Sequence, residues 1–156
     1  MMNVKIRKGT EADIAQALNL VKELAAYEKA PLEVEVTMAE MTAWGFGPDK
    51  QFDFFVAEVD NVIVGLALYY FKYSTWKGKC LFLEDIIVTE SHRGKGFGKL
   101  LFDEVIRVSK ETGVRRMEWQ VLDWNTPAIE FYKKYAAGLD GEWINCRLTN
   151  HQLQKM

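Results

Sequence analysis

Three long apolar runs crowd the middle of the chain, at residues 52–59, 62–73 and 79–88, and they constrain the fold more than any other feature. Each is rich in β-branched and aromatic residues, the pattern of strands rather than of helices. Asp60-Asn61 between the first two reads as a hairpin turn. The run at 62–73 is apolar on both faces. The run at 79–88 is nearly unbroken until Glu84-Asp85 interrupts it.

Helical periodicity flanks this strand block. Val4-Lys5-Ile6-Arg7 alternates as a first strand, and Thr10-Glu11-Ala12-Asp13 offers a capping-box start. Ile14, Ala17, Leu18, Val21, Leu24 and Ala25 then recur at helical spacing to about Tyr27, before Pro31. Thr37-Met38-Ala39-Glu40 is a second capping box, opening a short helix that stops at Gly45-Phe46-Gly47-Pro48. Downstream, Leu100, Leu101, Val105 and Val108 mark a helix ending near Gly113. A strand at 117–122, a short helix at 127–134 and a last strand at 143–148 complete the order. The pattern predicts a mixed α/β fold, and with no linker or composition shift residues 1–156 read as a single domain.

Composition excludes several classes. With 49% hydrophobic and 27% charged residues the chain is globular, neither disordered nor fibrous. A net charge of −2 argues against a nucleic-acid partner. The longest apolar run, 62–71, falls short of the ~20 residues of a membrane span. The segment 1–8 is charged too early for a secretory leader, so no membrane partner and a cytoplasmic location are expected. Cys80 and Cys146 lack any CxxC or Cys/His spacing; they read as reduced core thiols, and no metal site is expected.

The strongest chemical signal is Arg93-Gly94-Lys95-Gly96-Phe97-Gly98-Lys99, three cations in a glycine-rich turn between a strand and a helix. Exposed backbone N–H groups and a helix N-terminus suit such a turn to a phosphate or pyrophosphate. It is not a P-loop, whose glycines stand further apart and whose lysine precedes Ser or Thr. It is not GxGxxG either, because Lys99 stands where the last glycine belongs.

What remains, Arg-x-x-Gly-x-Gly after an apolar strand, resembles the GCN5-related N-acetyltransferases (GNAT). Leu83-Glu84-Asp85-Ile86-Ile87-Val88 before the loop, and Leu122-Asp123-Trp124-Asn125 with Phe131-Tyr132-Lys133-Lys134 after it, extend the likeness. Tyr27-Glu28, Gly45-Phe46-Gly47 and Leu68-Tyr69-Tyr70-Phe71 are similar to the diamine (spermidine/spermine) acetyltransferase subfamily. Tyr73-Ser74-Thr75-Trp76-Lys77-Gly78 and Val121-Leu122-Asp123-Trp124-Asn125 are most similar to its thialysine N-ε-acetyltransferase branch.

The resemblance implies the GNAT (acyl-CoA N-acyltransferase) fold, a mixed central sheet flanked by helices. It implies acetyl-CoA as cosubstrate, held by the backbone of Ile86, Ile87 and Val88, by Arg93, Gly94, Lys95, Gly96, Phe97, Gly98 and Lys99, and by Asn125, Thr126, Pro127, Ala128 and Tyr132. It also implies a homodimer built on C-terminal strands. From the residues alone, Asn125 reads as a helix cap and Tyr132 as a core tyrosine.

Acetyl transfer to an amine needs a lone pair, yet an alkyl ammonium with pKa ~10.4 is only about one part in a thousand neutral near pH 7.4. The site must attract the cation, take its proton and stabilise an oxyanion. Glu84 could accept the proton directly or through water, and a backbone N–H near Val88 could serve the oxyanion. Tyr132 could protonate the departing thiolate. Alternation along a strand would let only one of Glu84 and Asp85 face the amine; Glu84 is the expected one, with Asp85 supporting the loop.

By resemblance Tyr27, Glu28, Glu84, Glu118, Trp119 and Gln120 line the amine site, and Trp44, Tyr69, Tyr70 and Trp76 could add an aromatic wall. Two departures weaken a polyamine assignment: Ser74 replaces an acidic residue, and Tyr135-Ala136-Ala137-Gly138 replaces a glycine turn. Asp140 or Glu142 could supply the acidic contact expected beyond it. The expected activity is N-acetylation of a small primary amine, such as a thialysine-like amino acid, a diamine or a polyamine, by direct attack in a ternary complex. A non-catalytic acyl-CoA-binding module and a protein lysine acetyltransferase are the alternatives.

Overall fold

The structure, a computed structural model, describes residues 3–156; Met1 and Met2, the start of the segment read against a leader, lie outside them. The chain forms two compact units, residues 1–120 and 121–156. In the first, β1 (Val4–Lys8), β2 (Asp53–Val59), β3 (Val62–Ser74), β4 (Gly78–Val88) and β5 (Arg116–Trp119) make one sheet in chain order. Neighbours are antiparallel except β4 and β5, which run parallel. A parallel pair needs a crossover, and α3 (Phe97–Glu111) supplies it.

Helix α1 (Ile14–Tyr27) begins after a single 3-10 turn at Glu11–Asp13, where Thr10 N–H donates to Asp13 Oδ2 at 2.8 Å. Helix α2 (Met38–Phe46) has the reciprocal cap expected of Thr37 and Glu40: the Glu40 N–H donates to Thr37 Oγ1 at 3.2 Å, and the Thr37 N–H to Glu40 Oε2 at 2.9 Å. Both helices cover one face of the sheet. Ile14, Ala17, Leu18 and Met41 join Phe54, Val56, Leu66, Leu68 and Ile87 in a single buried cluster. On the opposite face lie Leu101, Phe102 and Val105 of α3, all buried. The Phe102 ring meets Trp119 edge-on at 5.2 Å. The mixed sheet flanked by helices is the fold expected from the sequence.

The strand pairing has an irregularity that governs the site. Asp85 pairs with Leu68, but Leu83 pairs with Tyr69, so β4 carries one extra residue, Glu84. Such a bulge bends the strand and interrupts its alternation. The β4–β5 ladder ends at Leu83 and Trp119, immediately before it. β5 is therefore shorter than the run 117–122 suggests, and beyond Leu83 no strand among the described residues pairs on that side of β4.

In the second unit, α4 (Thr126–Lys133) is capped by Asn125, whose Oδ1 accepts from the Ala128 N–H at 3.4 Å. Tyr132 is buried, with Phe131 at 5.5 Å between ring centres. The strand expected at 143–148 does not form: the segment is irregular, with Trp143 at 73% and Ile144 at 86% exposure. A strand needs a partner ladder, and none among the described residues pairs with this segment. The short α5 (Asn150–Gln154) follows. Cys80 is buried as expected of a core thiol, whereas Cys146, on the irregular segment, is exposed; both are free.

Candidate active site

The bulge places two carboxylates on one sheet face. Asp85 lies opposite Leu68 and shares the face of α1. Tyr70, two residues beyond Leu68, projects to that same face and donates its hydroxyl to Glu84 Oε2 at 3.2 Å. Simple alternation would have separated Glu84 from Asp85; the extra residue brings them together. Glu28, next to the last residue of α1, joins them, close enough for the charge of Glu84 to act on it.

Electrostatics reflect this crowding. Burial first, then the charges of Glu84 and Glu28, push the Asp85 carboxyl up to about 7. Burial and Glu84 raise Glu28 as well. Burial, then the charge of Glu84 and the hydrogen bond to it, push the Tyr70 phenol up to about 12, so it stays a donor. Asp85 and Glu28, both raised by burial and by the charge of Glu84, form with Glu84 a half-buried receptor for a cation, whose positive charge would relieve them.

Behind them, the free edge of β4 offers backbone. Thr89 N–H donates to Val64 O at 2.8 Å, so Thr89 faces β3. N–H groups alternate along a strand, so those of Val88 and Ile86 face away from β3, toward the open side. Ile87 faces β3 within the ladder, so its backbone is committed there, unlike its expected place among cosubstrate contacts.

The glycine turn follows. Gly94 and Gly96 have φ of 76° and 83°, a left-handed backbone that side chains resist. A Cβ on either would meet nothing within 4 Å, so the turn is open outward. Gly96 caps α3, leaving the N–H groups of Phe97, Gly98 and Lys99 in a first turn that lacks intrahelical acceptors. A Cβ on Gly98 would stand 3.9 Å from Val88, so the helix start abuts the end of β4. This open turn and its donors fit a pyrophosphate.

The cations of the turn have partners within the chain. Arg93 Nε donates to Val88 O at 2.8 Å, its NH2 lies 3.4 Å from Glu23 Oε1, and its guanidinium sits 5.2 Å from the Tyr27 ring centre. Glu23 also accepts from Thr89 Oγ1 and from the Glu90 N–H. Arg93 thus ties the loop to α1, a task the sequence suggested for Asp85. Lys99 pairs with Asp103 at 2.5 Å, and Lys95 Nζ donates to Ser91 O at 3.4 Å. Glu23 is the residue sequence reasoning missed: on a helix face it looks like an ordinary solvated acid.

Other expected positions divide. Glu118 lies across from Phe82, on the face of Tyr70. Trp119 points the other way, against Phe102. Gln120 is exposed just past β5. Tyr69 is buried against Phe55 at 5.8 Å and adds nothing to an amine wall; Trp76 is 78% exposed in the β3–β4 turn, and Trp44 is exposed on α2. Asp140 accepts from the Glu142 N–H at 3.0 Å in a local turn. Among the described residues no group of three metal-ligating side chains occurs, and no helix is long and apolar enough to cross a membrane.

Comparison with known proteins agrees with this geometry. The acetyltransferase (GNAT) family profile matches residues 17–137. Thialysine N-ε-acetyltransferase of Bos taurus is 38% identical over 88% of this chain and 85% of its own. L-ornithine N5-acetyltransferase of Arabidopsis thaliana is 43% identical over 61% of this chain and 42% of its own. An aminoglycoside N-acetyltransferase solved in complex with CoA superposes with a TM-score of 0.74 at 21% identity, covering 95% of this chain and 96% of the other, a likeness of fold. The chain belongs to the GNAT acetyltransferase family and is an acetyl-CoA-dependent N-acetyltransferase.

Proposed function

We propose that the enzyme acetylates the primary amine of a small molecule, a thialysine-like amino acid or a short diamine in preference to a polyamine, by direct attack in a ternary complex. The observation that carries this reading is the convergence of Glu28, Glu84 and Asp85 on one face, beside the open edge of β4. Bound acetyl-CoA supplies an activated acyl carbon and a thiolate leaving group. The chain's residues do the rest. Gly94, Gly96 and the first turn of α3 hold the pyrophosphate, and the outward N–H groups of Ile86 and Val88 align the arm and donate to the acyl oxygen. Arg93 acts through the loop.

Glu84, fixed by the Tyr70 hydroxyl, draws the ammonium into place. The proton then passes, directly or through water, to the Glu84–Asp85 pair; a carboxyl near 7 is matched to that task, so Asp85 shares the role first given to Glu84. Tyr132 returns a proton to the thiolate, a role drawn from phenol chemistry and its place in the Asn125–Tyr132 motif. Asn125, Thr126, Pro127 and Ala128 support the cosubstrate arm. Residues 1–156 serve as a single N-acetyltransferase domain in a homodimeric, cytoplasmic enzyme.

The test follows thiol release from acetyl-CoA across a panel of amines. Glu84→Gln should lower kcat/KM by about a hundredfold or more, and Tyr132→Phe should lower kcat by a similar factor with little change in KM. Binding of CoA without thiol release on any amine would leave only an acyl-CoA-binding module, and acetylation confined to proteins would indicate a lysine acetyltransferase.

A further inference from the structure

The face that carries the carboxylates continues along the sheet into a second polar group. Tyr70, Lys72 and Ser74 of β3 follow one another on that face, beside Phe82 of β4 and Glu118 and Arg116 of β5. The Tyr70 and Phe82 rings lie 5.4 Å apart, and Lys72 Nζ stands 5.5 Å from the Phe82 ring centre. Lys72 Nζ is 3.4 Å from Glu118 Oε2, and Arg116 Nε is 3.5 Å from Glu118 Oε1. Arg116 also donates from NH2 to Ser74 Oγ at 3.3 Å.

These ion pairs are loose. Arg116 Nε and Glu118 Oε2 are buried yet make no hydrogen bond. Buried polar atoms held only by loose ion pairs, without a hydrogen bond, are uncommon, and they are costly unless something else satisfies them. The stripe is charged at both ends and aromatic between: three carboxylates at one end, the Tyr70 and Phe82 rings in the middle, and two cations against one carboxylate at the other. Successive rows on a strand face are spaced by about 6–7 Å, the reach of a short alkyl stem.

We propose that Lys72, Arg116 and Glu118 form a head-group subsite that binds the α-carboxylate and α-ammonium of a basic amino acid whose side-chain amine lies against Glu84. The inference rests on the N-acetyltransferase reading and narrows its substrate to one class. The α-carboxylate pairs with Lys72 and Arg116, the α-ammonium with Glu118, and the stem lies on Tyr70 and Phe82. A diamine or polyamine would instead set a second cation against Lys72 and Arg116, with only Glu118 to receive it. Ser74 fits the same logic, because it orients Arg116 where an acidic residue would neutralise it.

The test compares each amino acid with the diamine that lacks its carboxylate, L-lysine with cadaverine and L-ornithine with putrescine, using the full chain and acetyl-CoA. The expected result is a kcat/KM about tenfold or more higher for the amino acid, the effect of one charge-assisted contact. Lys72→Glu should lower that ratio about tenfold or reverse it, with Lys72→Met and Arg116→Gln intermediate. Lys72 is exposed, so its variants should fold, and circular dichroism checks this. Equal acetylation of both members of each pair, or equal loss on both in Lys72→Glu, would overturn the subsite while leaving the acetyltransferase reading intact. No turnover with any amine would sink that reading itself. Calorimetric binding of L-lysine against cadaverine would then decide the subsite: a lysine preference that Lys72→Glu abolishes supports it, and none overturns it.

Discussion

Asp85 shows how one residue departs from what its neighbours in sequence suggest. From the pattern it is one of two adjacent acids, and alternation assigns it away from Glu84. The bulge reverses that assignment, and burial with two neighbouring carboxylates sets its carboxyl near 7. The folded protein therefore holds a proton on Asp85 that the unfolded chain, with its value of 3.8, releases. That contribution to stability is complete below pH 4 and lost as the pH rises through 7. Asp85→Asn stays neutral throughout, so it should be more stable than the parent at pH 8, by on the order of 3 kcal/mol, with the gap closing toward pH 4. Denaturant melts at both pH values check this. Activity of the variant should fall in parallel. Glu84, Glu28 and the glycine turn were legible as site candidates because the residue types announce them. The roles of Glu23, Lys72 and Arg116 were not, because a charged side chain on an exposed-looking face carries no local mark of what it will meet.

At the scale of elements, helices and strands were readable wherever caps and apolar periodicity agreed. α2 begins and ends where Thr37 and the following glycines place it, and α1 begins one 3-10 turn after the Thr10 cap. The segment 143–148 has the right residues for a strand but nothing to pair with, and composition cannot supply a partner. The link between α1 and the glycine turn is a property of elements too. Glu23 receives Thr89, the Glu90 N–H and Arg93. Glu23→Ala should loosen the turn and raise KM for acetyl-CoA about threefold to tenfold, with kcat little changed, in steady-state assays varying acetyl-CoA. After α4, Ala136 adopts φ of 55° where a glycine is usual. Ala136→Gly should therefore stabilise the end of that helix by about 1 kcal/mol, read as a higher denaturation midpoint.

For the molecule as a whole, the exposed apolar surface is uneven. Trp143, Ile144 and Leu148 stand open to solvent on one irregular stretch, at 73%, 86% and 52%. Large apolar side chains gathered on one exposed segment are commonly covered by another protein surface. A stretch rich in strand-forming residues, with unpaired backbone, is suited to adding to a second chain. The proposed homodimer gives it that role, and a net charge of −2 sets little repulsion against it. Sedimentation equilibrium should then find a mass near twice the 18.0 kDa of the chain. Ile144→Asp should shift that mass toward the single chain, because an unpaired carboxylate would be buried in the interface at a cost of several kcal/mol. A parent that sediments as a monomer, or a variant that remains dimeric, would place the contact elsewhere and leave this stretch without the function argued for it.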